Sequence, residues 1–122
     1  MSDEKIVDAI RHGNEEVISN VIAKYSKLMW SIASSILHNV TSDQDIEECV
    51  ADVFVYLWKH PEKYDAQRGT LKVWLSVVAR SQAIDKYREL SKNNAVPLDM
   101  PVKQVENHLY RTKQKLRAIL AN

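Results

Sequence analysis

One cysteine, two glycines, three prolines and a single phenylalanine are spread over 122 residues. Each scarcity excludes something. A lone Cys49 forbids an intrachain disulfide and fits a reducing compartment. Glycine and proline this rare point to long helices with few tight turns, and no glycine-rich phosphate loop is present. No apolar run approaches the roughly 20 residues needed to span a bilayer. The opening MSDEKIVDAI mixes acids and bases without an apolar signal core, so secretion is not expected and a cytoplasmic location is. His12, His38, His60 and His108 lie on different elements, none at metal-ligand spacing with Cys49 or carboxylates, so no metal, cofactor or catalytic activity is expected.

What is there reads as a helical protein. An apolar fraction of 45% is enough for one modest core, and the length allows one domain or a domain with an appendage. The net charge of +1 hides a division. Residues 1–58 hold four Lys/Arg against ten Asp/Glu, a balance of −6, whereas residues 59–122 hold thirteen against six, a balance of +7. The basic half is the candidate for phosphate contact. Patchiness on a solvated surface is the plain alternative.

Periodicity predicts a helix from Asp3 to His12 with Ile6, Val7 and Ile10 inward, broken by Gly13-Asn14. Asn14 is the expected N-cap of a second helix to about His38, with the acidic pair Glu15-Glu16 in its first turn. Its inner face would carry Val17, Val21, Ile22, Tyr25, Leu28, Met29, Ile32, Ala33, Ile36 and Leu37. Thr41 with Gln44 has the form of a capping box for a third helix, Asp43 to about Lys59. Ile46, Cys49, Val50, Val53, Phe54, Leu57 and Trp58 would be buried there, opposite Asp45, Glu47, Glu48 and Asp52. Pro61 ends that helix, and His60 to Gly69 is a polar connector.

A fourth helix follows over Gly69 to Glu89, with Thr70 near its cap. Leu71, Trp74, Leu75, Val78, Ala79 and Ile84 would be inward; Lys72, Arg80, Gln82, Lys86 and Arg88 would be outward. Core packing is the expected role of Trp74, Trp30 and Trp58, and Cys49 reads as a small buried hydrophobe. Ala95 to Pro101 is a linker with two prolines. Val102 to Leu120 is again amphipathic, with Val102, Val105, Leu109, Leu116 and Ile119 on one side. A single such helix is marginal in water, so it would dock on the bundle, pair with another molecule or fray. The expected architecture is all-α: a compact bundle over residues 1–94, a linker over 95–101 and a C-terminal amphipathic helix over 102–122.

Two blocks then carry a resemblance. They are DIEECVADVFVYLW at residues 45–58, and a helix bearing Trp74-Leu75, Ala79-Arg80 and Asp85 to Arg88. In order and spacing, over roughly residues 14–90, they resemble region two of bacterial sigma factors of the extracytoplasmic-function type. Separately, residues 102–120 resemble the close of that family's region four, the recognition helix of a helix-turn-helix. The intervening segment is missing, so the chain looks like a sigma factor with its middle deleted near Leu98-Asp99-Met100.

The resemblance implies two jobs. One is docking on the clamp helices of the largest subunit of RNA polymerase, carried here by Asp45, Glu48, Ala51 and Asp52 with Val55 nearby. The family often has Gln-Glu where this chain has Ala51-Asp52. The other job is recognising and melting the minus-ten promoter element through its non-template strand. That would fall to Lys63, Tyr64, Gln67 and Arg68 in the loop and to Lys72, Arg80, Ser81, Gln82, Lys86 and Arg88 on the helix. Ser81 stands where the family usually has Asn, which changes the groups offered to a base edge. Lys103, Gln104, Asn107, His108 and Arg111 match the groove-facing positions of region four, but without its supporting helices the minus-thirty-five element would go unread. An anti-sigma factor and self-association through the last helix are further expected partners. A rival reading is a non-initiating module that binds polymerase or an anti-sigma factor without opening promoters.

Overall fold

The computed structural model describes residues 2–93. The expected linker and C-terminal helix, with Lys103, Gln104, Asn107, His108 and Arg111, lie outside the described residues. Four helices run in order: α1 (Asp3–Arg11), α2 (Glu15–Leu37), α3 (Asp43–Lys59) and α4 (Leu71–Asn93). Two short 3-10 turns, Pro61–Lys63 and Ala66–Arg68, bridge α3 to α4, and no strand occurs among the described residues. The described part is therefore all-α.

Side-chain oxygens start every helix by accepting from an otherwise unsatisfied amide. Ser2 accepts from the Lys5 amide at 3.3 Å, Asn14 from Val17 at 3.1 Å and Thr70 from Val73 at 3.2 Å. For α3 the cap differs from expectation. Ser42, not Thr41, accepts from the Asp45 amide at 3.2 Å, while the Thr41 hydroxyl donates to the Asp45 carboxylate. Asp45, three residues beyond the cap, is thus held by both Thr41 and Ser42, and Gln44 is exposed. Helix α1 ends where Gly13, at φ +82°, donates to the Ile10 carbonyl and Asn14 to that of Ala9. That pairing satisfies two carbonyls at the helix end and requires a left-handed residue. Asn39, at φ +74°, takes the same left-handed position after α2.

Helix α2 packs against α1, α3 and α4, so the core surrounds it. Ile18, Ile22, Met29 and Leu37 of α2 are fully buried with Val50, Phe54 and Leu57 of α3 and Leu71 and Leu75 of α4. Each such side chain stabilises the fold by roughly 1.5–3 kcal/mol relative to exposure. The inner face of α2 is rotated slightly from the expected one. Ile18 and Ser26 are buried, and Val17, Tyr25, Leu28, Ile32 and Ile36 lie at its edge. Ser26 is tolerated because its hydroxyl donates to the Ile22 carbonyl at 2.5 Å.

Helix α3 corrects two expectations. Ala51 is only 2% exposed and Glu47 only 3%. Four residues apart, they share a face, and the small Ala51 lets α3 approach its neighbours closely enough to enclose that face. Helix α4 corrects a third. Its buried stripe is Leu71, Leu75, Ala79 and Ala83, whereas Trp74, Val78 and Ile84 are half-buried. Val73, Val77 and Tyr87 are exposed. No described helix is long and apolar enough to cross a membrane.

Candidate functional site

The expected site residues fall on two faces. Between α3 and the second half of α4 lies an open groove of about 260 Å³. Asp45, Glu48, Cys49 and Asp52 line one wall; Gln82, Asp85, Lys86 and Glu89 line the other. Five carboxylates against one ammonium give this groove a negative potential that would attract a basic partner. Cys49 sits 6% exposed at its base, and burial first, then the Asp52 charge, pushes its thiol up to about 11. The thiol is therefore protonated and unreactive at neutral pH. Among the described residues no group of His, Cys, Asp or Glu is arranged to hold a metal ion.

Of the five expected docking residues, Glu48 is exposed and Asp45, Asp52 and Val55 are half-buried. Ala51 faces the bundle and adds nothing to an exposed docking surface. Gln82 and Lys86, expected on the DNA side, stand at the groove. They lie in the acidic groove, away from the exposed Arg80, Ser81 and Arg88, because residues 82 and 86 point from α4 toward α3.

The second face is the connector and the first turns of α4. Trp74 is half-buried against the core and holds two further rings. Tyr56 stacks on it with centroids 5.9 Å apart and an interplanar angle of 22°; Tyr64 meets it edge-on at 6.2 Å and 82°. His60 lies 5.1 Å from the Tyr56 ring, extending the cluster to the end of α3. Such offset and edge contacts stabilise ring pairs by about 0.5–1.5 kcal/mol beyond area burial. The Tyr64 hydroxyl donates to the Gly69 carbonyl at 3.0 Å and closes the loop on itself. Burial, followed by the charges of Asp3 and Glu4, pushes the Tyr64 phenol above its ordinary 10.0, so it remains a donor.

Gly69 accepts this closure at φ +148°, a conformation costly to any residue with a Cβ. Asp65 caps the second turn by accepting from the Gln67 amide at 2.9 Å and lies 3.8 Å from the Arg68 Nε. Lys63, Gln67 and Arg68 are exposed on this braced loop, and Lys72 is exposed in the first turn of α4. The arrangement is a rigid aromatic platform with cations and an amide at its rim. A base can stack on such rings while the cations meet phosphates. Tyr64 is half-buried as a loop brace, its ring nearly perpendicular to that of Trp74.

Two residues escaped the sequence reading. Tyr56 joins the cluster through its position three residues after Val53 and one turn before His60, which periodicity alone marks as neither face. The Asp3 carboxylate accepts from the Leu71 amide at 2.9 Å, a contact between residues 68 apart that no local signal announces.

Residues 21–93 match the family model for sigma-70 region 2, and the chain belongs to that family. The match contains α3, the loop and α4, hence both faces, while α1 precedes it. Members of this family are transcription factors that bind RNA polymerase core and promoter DNA. No curated protein and no solved structure matches the chain.

Proposed function

We propose that the chain is a transcription initiation factor of the extracytoplasmic-function type that docks on the clamp helices of RNA polymerase and melts the minus-ten element. Docking runs through Asp45, Glu48 and Asp52 at the acidic groove. Arginines on a partner coiled coil can make charge-assisted bonds to these carboxylates, which sets orientation as much as affinity. Capture of the non-template strand falls to Lys63, Gln67 and Arg68 around the Tyr56, Trp74 and Tyr64 rings, with Lys72, Arg80, Ser81 and Arg88 tracking the backbone. Opening a duplex needs both parts, because an unstacked base must find a new stacking partner and its phosphates a counter-charge. One observation carries the reading: α4 presents an acidic groove on its α3 side and exposed cations on its outer side. Polymerase and DNA could therefore be held at once.

In this reading residues 102–122 are a remnant of region four that no longer reads a minus-thirty-five element, and the protein works in the cytoplasm. An anti-sigma factor would compete for the acidic groove. A non-initiating binder of polymerase is the second reading, favoured by Ser81, whose short hydroxyl replaces the base-reading amide usual in the family.

Anisotropy of a fluorescent single strand, drawn from a randomised pool and enriched on the holoenzyme, separates the two. Sequence-selective binding in the presence of core polymerase, lost on the Lys63→Ala, Arg68→Ala, Arg80→Ala triple change, is the expected result. Binding indifferent to sequence and to those changes overturns promoter reading and leaves the binder.

A further inference from the structure

The outer side of α4 carries an apolar seam. Val73 and Val77 are 54% and 61% exposed, Tyr87 is 44% exposed, and Ile84 is half-buried. With Arg80 in the middle, these positions step by four, three, four and three, the spacing of a helix-pairing surface. In the sequence of residues 102–120, Val102, Val105, Leu109, Thr112, Leu116 and Ile119 step by three and four in the same way. We propose that residues 102–120 fold back as a helix antiparallel to α4 and cover this seam.

Reach and length agree. Helix α4 ends at Asn93, six residues beyond Tyr87, or roughly 9 Å of helix. The connecting residues 94–101 extend to about 26 Å, more than enough to return that distance and cross an interaxial gap of 8–10 Å. The two seams run roughly 21 Å and 26 Å, so one can cover the other end to end. Pro101, just before Val102, suits the first turn of a returning helix.

Ser76 and Ser81 border the α4 seam, small and uncharged, so a helix can approach its middle closely, while the exposed Lys72 and Arg88 stand toward its two ends. A second copy fits less well. Two α4 seams paired antiparallel about their midpoint set Arg80 against Arg80, a like-charge contact at the centre. The returning segment instead sets Leu109 against the Arg80 stem, leaving the guanidinium free to reach solvent. The contact would bury the surroundings of Arg80 and Ser81 and so compete with strand capture; that consequence rests on the proposed function, whereas the contact does not.

Disulfide capture in the full chain tests it without DNA or polymerase. In a Cys49→Ala background, Val77→Cys with Thr112→Cys is expected to close within one molecule about ten-fold or more faster than a control pairing Thr112→Cys with Asn20→Cys, as effective concentration predicts. Asn20 is exposed on α2 and Val77 on α4, so neither change disturbs the core. Leu109→Asp added to the first pair should bring its rate down to the control. Equal rates for the two pairs overturn the proposal, as does a cross-link that forms between molecules. Amide exchange gives a second reading: protection over residues 102–120 that Val77→Asp removes supports it, and exchange at the rate of an unstructured peptide overturns it.

Discussion

The Leu71 amide donates a 2.9 Å hydrogen bond to the Asp3 carboxylate, joining the first turn of α1 to the first residue of α4. Thr70 caps the same helix end through the Val73 amide, so two unsatisfied donors are met by two different segments. Asp3 also places a negative charge at the positive end of the α4 dipole. Because α4 begins beside Gly69, this bond fixes where the loop cations and the Trp74 cluster stand. Helix α1, which precedes the residues matching the family, thus holds the start of the candidate DNA-reading helix.

Asp3→Ala removes that acceptor and is expected to destabilise the fold by about 0.5–2 kcal/mol, with Asp3→Asn losing less because its carbonyl still accepts. Urea unfolding of the two variants checks the order. Equal losses would show that the bond contributes nothing beyond charge.

Gly69→Ala forces a Cβ onto a backbone at φ +148° and should cost about 1–3 kcal/mol. The nearest side-chain atom to such a Cβ would be the Val73 Cγ1 at 3.8 Å, ordinary contact, so the cost is in the backbone and not in a clash. A smaller neighbour, Val73→Ala, should therefore fail to rescue stability in the double variant.

Glu48→Lys and Asp52→Lys turn the acidic groove toward neutrality without touching the core. Affinity for core polymerase, measured by surface resonance at low and physiological salt, should fall, and the loss should be larger at low salt. Unchanged affinity would remove the groove as the docking face.

Each of Lys63, Arg68 and Arg80 that meets a phosphate should lower the salt dependence of single-strand binding when changed to Ala. The slope of log K against log salt should shrink by about 0.7 per contact. Gln82→Ala, on the groove side of α4, should leave the slope unchanged.

Cys49 links stability to alkaline pH. Its thiol is raised from 9.0 to about 11 in the folded chain, so between those values the native state keeps a proton that the unfolded state releases. Stability should therefore fall as pH rises through 9 and level off above about 11. Below 9 this contribution is fully retained. Cys49→Ala should lack that component when urea midpoints are compared across the range. Alkylation of the thiol at neutral pH should be slow until denaturant is added.

The bounds of α1, α2 and α3 were legible in the chain, whereas α4 runs to Asn93, four residues past the expected Glu89. Asn14, Gly13 and Pro61 act over three or four residues, and α3 runs from Asp43 to Lys59 as periodicity predicts. Local hydrogen-bond chemistry and spacing need no knowledge of neighbours. The cap of α3 differs from the expected one because Thr41, Ser42, Gln44 and Asp45 offer two overlapping pairs, and only backbone geometry chooses between them.

Which cations belong together was not legible. Arg80, Gln82, Lys86 and Arg88 form one polar set on paper, yet Gln82 and Lys86 line a groove whose other wall comes from α3. Ala51 and Glu47 looked like a solvated acidic face until packing enclosed them. A helix's own period orders its residues around an axis, so the sequence determined the helices and their apolar stripes. Only tertiary packing decides how wide a buried face becomes and which polar edge meets which partner, because the angle and distance of the neighbouring helix set both. The acidic groove, the bond from Asp3 to Leu71 and the ring cluster at Trp74 all depend on that choice. Each joins residues from different elements, and no periodicity within one element encodes it.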